Sequence, residues 1–477
     1  MRLLDRLAGI DRFRKYLAGM DEDMIRQRFV LEELALRTSL DSPVLEPVPL
    51  DSKIVDGNGD YSVGFACNLA NNAYILCRAI ARQGRKARVL YEPDFMDTYP
   101  LSSPVWEDRE IEAEDESAAA KEIARHGLPE LCSRCMYDPS IRSSNPFDVV
   151  GVGELCRGTG IKVNSPIKSC KANSVLGHRD MLSQMDAFDV LQVSGNAIGL
   201  ASVCGKPYVT FPFGGDLYIT PFDDNQQGWL QTEGFRRAEM HIATGGAMVD
   251  YLERLGVRRS KIAVMPFAYD TDVYAPLREN GLRDDFRRKY PGKTAIFCGS
   301  RQNWAWKGND KFFNALARIK DVRDRVVCIS TWWGQDMDKS DALIRQLGLG
   351  EVVVKVGLVS KARLRRLVDA SDVCVDQFTL GGLGTFALES MSMGKPLLVH
   401  YDEKTHFSFS EPPPVFNVSS EDEIFEALQY VLENRDKLPE TGSRCREWVV
   451  KHHSFKALWP QYDAVYRMAI AQHGARR

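Results

Sequence analysis

A glycine-rich segment late in the chain holds the residues best suited to chemistry. Residues 380–396 read LGGLGTFALESMSMGKP, which predicts a strand end, a turn and a helix that begins near Thr385. Glycine lets a backbone approach a ligand closely because it has no Cβ, and the amides of a first helical turn favour an anion such as a diphosphate. Glu389 lies about one turn into that helix, where a carboxylate can accept hydrogen bonds from two vicinal ribose hydroxyls. A tight strand–helix turn with a solvated glutamate is the structural alternative.

Two cations lie upstream in the segment CGSRQNWAWKGNDKFF. Arg301 follows a predicted strand, and Lys307 precedes a predicted helix. Open α/β sheets bind ligands at the carboxyl ends of their strands, and cations at that edge suit a pyrophosphate. Surface charge explains either residue alone, but together with the glycine turn they indicate an anionic phosphate ligand.

Alternating strand and helix patterns surround these segments and must position them. One series starts with a strand near 61–67 and a helix over 70–84, and it ends with the strand KIAVMPF. A second series starts at TAIFCGS and ends near KPLLVHY. An acidic stretch over 105–146 interrupts the first series like an insertion that carries a surface helix. The pattern predicts an α/β fold with two doubly wound parallel sheets that face each other across a cleft.

Two motifs resemble those of a known enzyme family. Residues 299–308 read G-S-R-Q-N-W-A-W-K-G, and residues 381–396 read G-G-L-G-T-F-A-L-E-S-M-S-M-G-K-P. They resemble motifs of the retaining GT-B glycosyltransferases of the E-x7-E type, glycosyltransferase family 4-like. The segments VVKVGLVSKARLRRLVDASDVCV and AVMPFAYDTDVYAP are similar to further segments of that family, in the same order. PVWED is similar to a motif of some bacterial members.

The resemblance implies a GT-B architecture, in which two Rossmann-like domains face each other across a cleft. We expect a helical extension over 1–48, an acceptor-side domain over 49–275 and a nucleotide-sugar-binding domain over 276–454. A C-terminal helix over 455–477 should cross back onto the first domain. The implied activity is transfer of a sugar from a nucleotide diphosphate-sugar to a glycan, lipid-linked or protein acceptor. Retention of the anomeric configuration is implied, with neither a metal nor a cofactor.

The resemblance also assigns roles to residues of the second domain. Glu389 is expected to bind the donor ribose, while Arg301 and Lys307 hold the diphosphate and stabilise its departure. The phosphate cradle and the base site are expected to use mainly backbone groups, from Gly382, Gly384, Thr385, Phe386, Val356 and Val359.

One position departs from the family's second motif. Gly381 stands where the first glutamate of E-x7-E contacts hydroxyls of the donor sugar. Asp376, five residues earlier, is either a substitute for that glutamate or a structural acid that caps a turn. The departure leaves the identity of the sugar open.

Candidate residues of the first domain follow its predicted strands. In the segment TFPFGGD, Phe213 stands near a position where the family often has a histidine. Asp216 is the candidate catalytic residue of this domain, available for contacts to the sugar or the acceptor, and capping of the next segment is its alternative. The acceptor or phosphate side is predicted to include further polar or backbone groups, with helix capping as the alternative for the asparagines: Asn68, Asn71, Asn72, Gly214 and Gly215.

Composition limits the classes of partner. The chain has 62 basic and 65 acidic residues and a formal net charge of −3, so it lacks the basic surplus of a nucleic-acid-binding protein. The N-terminal sequence MRLLDRLAGIDRFRKYLAG has charges every few residues, where a signal peptide has an apolar core. We therefore expect a cytoplasmic protein. The amphipathic N-terminus predicts a helix packed on its own domain, with a peripheral contact at the inner membrane face as the alternative.

Four cysteines leave a metal site open. Cys132 and Cys135 form a C-x-x-C pair, and Cys156 and Cys170 follow without a second such pair. A four-thiolate zinc site and free thiols in a reducing compartment are the two interpretations.

Two other functions also stay open. One is a catalytically weak partner subunit that binds a nucleotide-sugar, since Gly381 and Phe213 both lack a polar side chain for the sugar. The other is a nucleotide-sugar epimerase of similar fold, which would need an acid/base set that the first domain does not display.

Overall fold

The computed structural model describes residues 60–92, 100–137, 178–223, 226–402, 409 and 411–475. The predicted helical extension over 1–48 lies outside these residues, as do Cys156 and Cys170. Of the helices within them, none combines the length and the apolar character needed to cross a membrane.

A parallel sheet organises the first half of the described chain. The strands in this half are β1 (Val63–Ala66), β2 (Ala87–Tyr91), β3 (Glu112–Ala113), β4 (Cys132–Arg134), β5 (Val190–Val193), β6 (Tyr208–Thr210), β7 (Met240–Ala243) and β8 (Ile262–Val264). All except β3 form one sheet in the order β4-β2-β1-β5-β6-β7-β8. Strands such as VLQV and MHIA are buried along their whole length, as expected of a parallel sheet covered by helices on both faces.

Helices connect the strands of this half. They are α1 (Asn72–Arg82), α2 (Pro104–Asp108), α3 (Glu116–Ala124), α4 (Arg179–Met185), α5 (Ala197–Ala201), α6 (Gly215–Tyr218), α7 (Gln226–Arg237) and α8 (Gly246–Arg254). The helix predicted over 70–84 is shorter in the structure, because Ala70 and Asn71 have φ angles of +50° and +62°. These left-handed residues turn the chain before α1 begins.

A second parallel sheet occupies the later half. Its strands are β9 (Thr294–Cys298), β10 (Val326–Thr331), β11 (Val353–Val356), β13 (Val373–Val375), β14 (Leu397–Val399) and β15 (Phe416–Asn417), and β12 (Leu358–Val359) lies apart from it. The order is β11-β10-β9-β13-β14-β15. The helices are α9 (Gly281–Lys289), α10 (Trp304–Lys307), α11 (Asn309–Ala317), α12 (Val322–Arg325), α13 (Met337–Gln346), α14 (Lys361–Ala370), α15 (Thr385–Ser392), α16 (Glu421–Glu433) and α17 (Leu438–His453). The predicted pair of Rossmann-like parallel-sheet domains is confirmed.

The last helix, α18 (Phe455–Gly474), packs on the first sheet although it follows the second. It starts at Ser454, whose side chain caps the first turn by accepting from the Ala457 amide. The Tyr466 hydroxyl donates to Gln192 Oε1 in β5 at 2.6 Å. The first core is therefore closed by residues from the end of the chain. The exact domain limits at 48, 275 and 454 stay predictions.

A short antiparallel pair joins the two halves. In it β3 pairs with β12, with Ala113 opposite Leu358 and Glu112 opposite Val359. Beside this pair, the Ser360 amide donates to Ile111 O at 2.8 Å. Part of the acidic stretch predicted to be a surface insertion is thus a bridge between the two sheets.

Helix α2 is a second part of that stretch that is buried. Its Glu107 is fully buried and accepts a hydrogen bond from the Tyr274 hydroxyl at 2.8 Å. The guanidinium groups of Arg78 and Arg365 lie 3.5 and 3.7 Å from the same carboxylate. The PVWED segment therefore links α1, the segment after β8 and α14. The exposed residues of α3 do match the predicted surface helix.

Candidate functional site

One edge of the second sheet collects the predicted phosphate-binding cations. Arg301 follows β9 and Asp376 follows β13, and these strands are neighbours. Lys307 ends α10, and its Nζ lies 3.1 Å from Asp376 Oδ1. The Arg301 guanidinium lies 5.6 Å from the centroid of the Trp306 ring. The carboxyl edge thus carries two cations and one buried carboxylate.

The two carboxylate oxygens of Asp376 differ in their hydrogen bonding. Oδ1 accepts from Lys307, whereas Oδ2 is buried and has no hydrogen-bond partner among the described residues. A Cβ added to Gly384 would lie 3.5 Å from that open oxygen. The ion pair with Lys307 gives Asp376 a structural role, which favours the alternative interpretation over direct substitution for the missing glutamate.

The N-terminus of α15 lies against this edge. Gly384 precedes the helix and is exposed, and as the N-cap residue it has no side chain to cap the first turn. A Cβ on Gly299 would lie 2.2 Å from the Phe386 ring, so the end of β9 and the first turn of α15 are in close contact. Uncapped first-turn amides and the helix dipole favour an anion at this position. The structure therefore brings Gly384, Thr385 and Phe386 to the edge that carries Arg301 and Lys307.

Gln377 holds the glycine-rich turn before α15, and sequence reasoning missed it. Its Oε1 accepts from the backbone amides of Thr379 and Leu380 at 3.0 and 2.7 Å. Its Nε2 donates to the carbonyl oxygens of Gly382 and His400, both at 2.8 Å. The signal available in the sequence was a glutamine that follows Asp376 after an apolar strand, which does not specify such a role.

Glu389 is fully buried in a polar cluster rather than solvated. The Tyr269 hydroxyl donates to Oε1 at 2.5 Å, and Lys361 Nζ forms an ion pair with the same oxygen. Oε2 is buried without a hydrogen-bond partner among the described residues. Burial, followed by the Glu389 carboxylate, raises the pKa of Tyr269 well above its usual range, so the hydroxyl stays protonated and donates. One oxygen of Glu389 is therefore fixed, and the other is available to accept.

The two partners of Glu389 were not predicted from the sequence. Tyr269 lies in the segment after β8, and Lys361 is the first residue of α14. Both belong to segments singled out for their likeness to the family, but no spacing relates them to Glu389. Only the packing of α14 beside α15 brings these groups together.

The predicted base site is partly occupied by backbone pairing. Val356 pairs with Thr331 in the sheet, and its carbonyl oxygen accepts from the Trp332 amide at 2.7 Å. Val359 pairs with Glu112 of β3. Fewer backbone groups near Val356 and Val359 are left for a base than the resemblance implies, and base recognition there stays a prediction.

Gly381 has a backbone conformation that explains the missing glutamate. Its φ angle is +68°, a left-handed value that costs an L-residue about 1–2 kcal/mol. A Cβ at this position would lie 3.2 Å from Asp402 Cβ and 3.3 Å from His400 Nε2. Both the backbone and the neighbours therefore favour glycine at 381.

Asp216 in the first domain is engaged by backbone amides. It accepts from Phe213 and Gly214 at 2.9 and 2.8 Å and from Gly195 at 2.9 Å. These bonds tie the turn before α6 to the loop after β5. The geometry favours the capping alternative for Asp216, while the adjacent Gly215 is exposed.

Two of the three predicted asparagines are also structural. Asn68 donates to Asn71 Oδ1 at 2.8 Å and to Ser102 O at 2.7 Å, and it accepts from the Tyr74 amide at 2.8 Å. Asn71 donates to a carbonyl of the same 100–103 loop. Asn72 is different, because its Oδ1 is buried without a hydrogen-bond partner among the described residues. Of the three, only Asn72 keeps an open polar atom.

The structure describes only the C-x-x-C pair of the four cysteines, so the choice between a zinc site and free thiols stays open. Cys132 and Cys135 are buried free thiols, and burial raises the pKa of each to about 12. Across the described residues, no three histidine, cysteine or acidic side chains are grouped as metal ligands. The predicted second half of that site lies outside the described residues.

Known proteins resemble this chain in the sequence of its second domain and in its fold. Residues 292–434 match the family model for glycosyl transferases group 1. Mannosylfructose-phosphate synthase of Agrobacterium fabrum is 24% identical over 200 residues, which are 40% of this chain. The match spans 43% of that relative's length.

Solved structures resemble nearly the whole chain. HepE from Anabaena in complex with UDP-glucose has a TM-score of 0.54 at 15% identity, covering 87% of this chain and 100% of that one. Sucrose-phosphate synthase from Thermosynechococcus elongatus has a TM-score of 0.55 at 14% identity, covering 86% and 100%. A glycosyltransferase from Rickettsia africae has a TM-score of 0.56 at 13% identity, covering 86% and 99%. The chain has the two-domain GT-B fold, and the match to the glycosyl transferases group 1 model lies within its second domain.

Proposed function

We propose that this protein transfers a sugar from a nucleoside diphosphate-sugar to an acceptor, with retention of the anomeric configuration and without a metal. One observation carries the proposal. Arg301, Lys307 and the uncapped N-terminus of α15 converge at one carboxyl edge, next to a buried carboxylate, Glu389, with an open oxygen. A group-1 match over the same residues and the UDP and UDP-glucose complexes of HepE support this assignment.

The donor site would use three kinds of group from this chain. The open oxygen of Glu389 would accept hydrogen bonds from the ribose. Arg301, Lys307 and the amides from Gly384 to Phe386 would bind the diphosphate. Preorganised cations and amides stabilise the charge that develops on a departing phosphate, and they do so without reorganising during the reaction.

The remaining step is removal of the proton from the attacking group of the acceptor. Asp216 is occupied by three backbone amides, so it is a poor base in this geometry. In a retaining reaction without a protein base, the departing diphosphate oxygen accepts that proton as the bond from the acceptor forms. Closure of the cleft would exclude water and so suppress hydrolysis of the donor.

A nucleotide-binding panel tests the donor site. Purified protein is melted with UDP, GDP and ADP and with UDP-glucose, GDP-mannose and ADP-glucose. A ligand at 100 times its dissociation constant adds about 2.7 kcal/mol of stability. We expect one base series to stabilise the wild type and Lys307→Ala to lose most of that shift. Lys320→Ala, an exposed lysine beyond α11, is the matched control. No shift with any nucleotide would refute the donor site.

Transfer is tested separately from binding. Release of the nucleoside diphosphate is followed with the best donor and with glycan, lipid-linked and peptide acceptors. Stimulated release that depends on Arg301 and Lys307 supports the enzyme. Binding without release by any acceptor supports the second candidate, a nucleotide-sugar-binding partner subunit. The engagement of Asp216, Asn68 and Asn71 in local structure is the observation that favours this candidate.

A further inference from the structure

His400 and Asp402 lie where a side chain at position 381 would otherwise be. A Cβ on Gly381 would lie 3.3 Å from His400 Nε2 and 3.2 Å from Asp402 Cβ. The Asp402 amide also donates to Gly381 O at 3.0 Å. The imidazole and the carboxylate-bearing side chain thus fill the space beside the glycine-rich turn.

The position of His400 is fixed from its backbone. His400 follows β14, which is the neighbour of β13 in the sheet. Its amide donates to Gln377 O at 2.8 Å, and its carbonyl oxygen accepts from Gln377 Nε2 at 2.8 Å. The imidazole is half-buried and makes no hydrogen bond to another described residue. It is a positioned polar group at the same carboxyl edge as Asp376.

The order of groups along a bound donor places its sugar near this pair. Glu389, assigned to the ribose, lies one turn into α15, and the diphosphate is assigned to the start of that helix. The sugar is attached to the phosphate that is farther from the ribose, so it should lie beside the residues that precede α15. Gly381 lies three residues before the helix cap Gly384, and His400 packs directly on it.

We propose that His400 and Asp402 supply the polar contacts to the hexosyl unit of the donor, in place of a side chain at 381. This inference rests on the proposed function. An imidazole can donate and accept, and a carboxylate accepts, so the pair matches the vicinal hydroxyls of a neutral hexose. The residues that select the sugar therefore belong to the segment after β14 and not to the glycine-rich turn.

The test compares each nucleoside diphosphate with its sugar conjugate. Dissociation constants are measured by calorimetry for UDP and UDP-glucose, GDP and GDP-mannose, and ADP and ADP-glucose, and the pair that binds wild type is used. We expect His400→Ala to weaken the conjugate about five- to tenfold, the loss of one or two hydrogen bonds. Affinity for the plain diphosphate should stay within about twofold, since that ligand does not reach the pair.

Further variants separate a contact from a structural role. His400→Gln keeps a hydrogen-bonding side chain and should restore part of the lost affinity, and Asp402→Asn should weaken only the conjugate. His126→Ala, an exposed histidine after α3, should leave both ligands unchanged. Equal losses for diphosphate and conjugate, or no loss for either, would overturn the inference while leaving the donor site intact. Absence of binding by every wild-type pair would instead refute the donor site itself.

Discussion

Replacing Glu389 by glutamine separates its two oxygens. The wild-type side chain is fully buried, with Oε1 bound by Tyr269 and Lys361 and Oε2 open. Hydrogen bonds to a charged acceptor contribute about 1.5–3 kcal/mol and neutral ones about 0.5–1.5 kcal/mol. Because Tyr269 and Lys361 both donate, the glutamine carbonyl oxygen should face them, and its amide group, which only donates, then replaces Oε2. Each ribose hydroxyl therefore exchanges a charged acceptor for a neutral partner, which should cost about 1–2 kcal/mol, or about 5- to 30-fold in the dissociation constant of the nucleoside diphosphate, for each hydroxyl bound.

The same substitution should also destabilise the unliganded protein. It leaves Lys361, whose side chain is 17% exposed, without its anionic partner. Breaking a buried ion pair from one side costs about 3–5 kcal/mol. Calorimetry gives the affinity and thermal melting gives the stability, so the two effects are read from separate experiments.

Tyr269→Phe is the matched control for this prediction. It removes the 2.5 Å hydrogen bond to Oε1 and leaves Oε2 untouched. We expect lower stability but a nucleotide affinity within about twofold of wild type, because no ribose contact is lost. If Glu389→Gln lowers stability yet keeps wild-type affinity, the carboxylate is only an anchor between α14 and α15, and the ribose assignment is wrong.

Three further predictions concern stability. Burial lowers the pKa of His241 to about 3 and of His453 to about 4. The unfolded chain takes up these protons near pH 6.5, so stability is full above that pH and falls by about 2 kcal/mol per histidine at pH 5, a loss that His453→Gln should reduce in pH-dependent melts. Gly299→Ala should cost about 1–3 kcal/mol and weaken nucleotide stabilisation, because its methyl group overlaps the Phe386 ring; unchanged ligand shifts would contradict this. Tyr466→Phe should lower the free energy of unfolding by about 1–3 kcal/mol, since it removes the donor to the buried Gln192 Oε1 in β5; an unchanged denaturation midpoint would contradict this.

Regular patterns explain why much of the fold was predictable. Alternating apolar strands and amphipathic helices specify local structure, and parallel order follows from the helices between the strands. The helix predicted to begin near Thr385 does begin there, because glycines end the preceding loop. The start of α1 was missed, because Ala70 and Asn71 carry helix-compatible side chains on a left-handed backbone.

The site was predictable in its cations and less so in its partners. Motif spacing and strand ends coincide at Arg301 and Lys307, so their position at one sheet edge could be predicted, whereas their role in binding a donor stays a prediction. The partners of Glu389 were not found, since Tyr269 lies 120 residues away in sequence and contact depends on domain packing. For Asp216 the sequence left a sugar or acceptor contact and capping both open, because it does not reveal that three backbone amides already donate to the carboxylate. A two-residue strand such as β3 is too short to show the alternation of apolar and polar residues by which a strand is predicted.

The placement of α18 has a consequence for how the protein is made. The first sheet is complete when Val264 has been synthesised, but its covering helix ends only at Gly474. At about 5–20 residues per second, the intervening stretch of roughly 200 residues takes about 10–40 s to translate. Throughout that interval the nascent first domain exposes the surface that later receives Tyr462 and Tyr466. The first domain can therefore be completed only after α18 has been synthesised, and chaperone binding during synthesis should concentrate on this uncovered face.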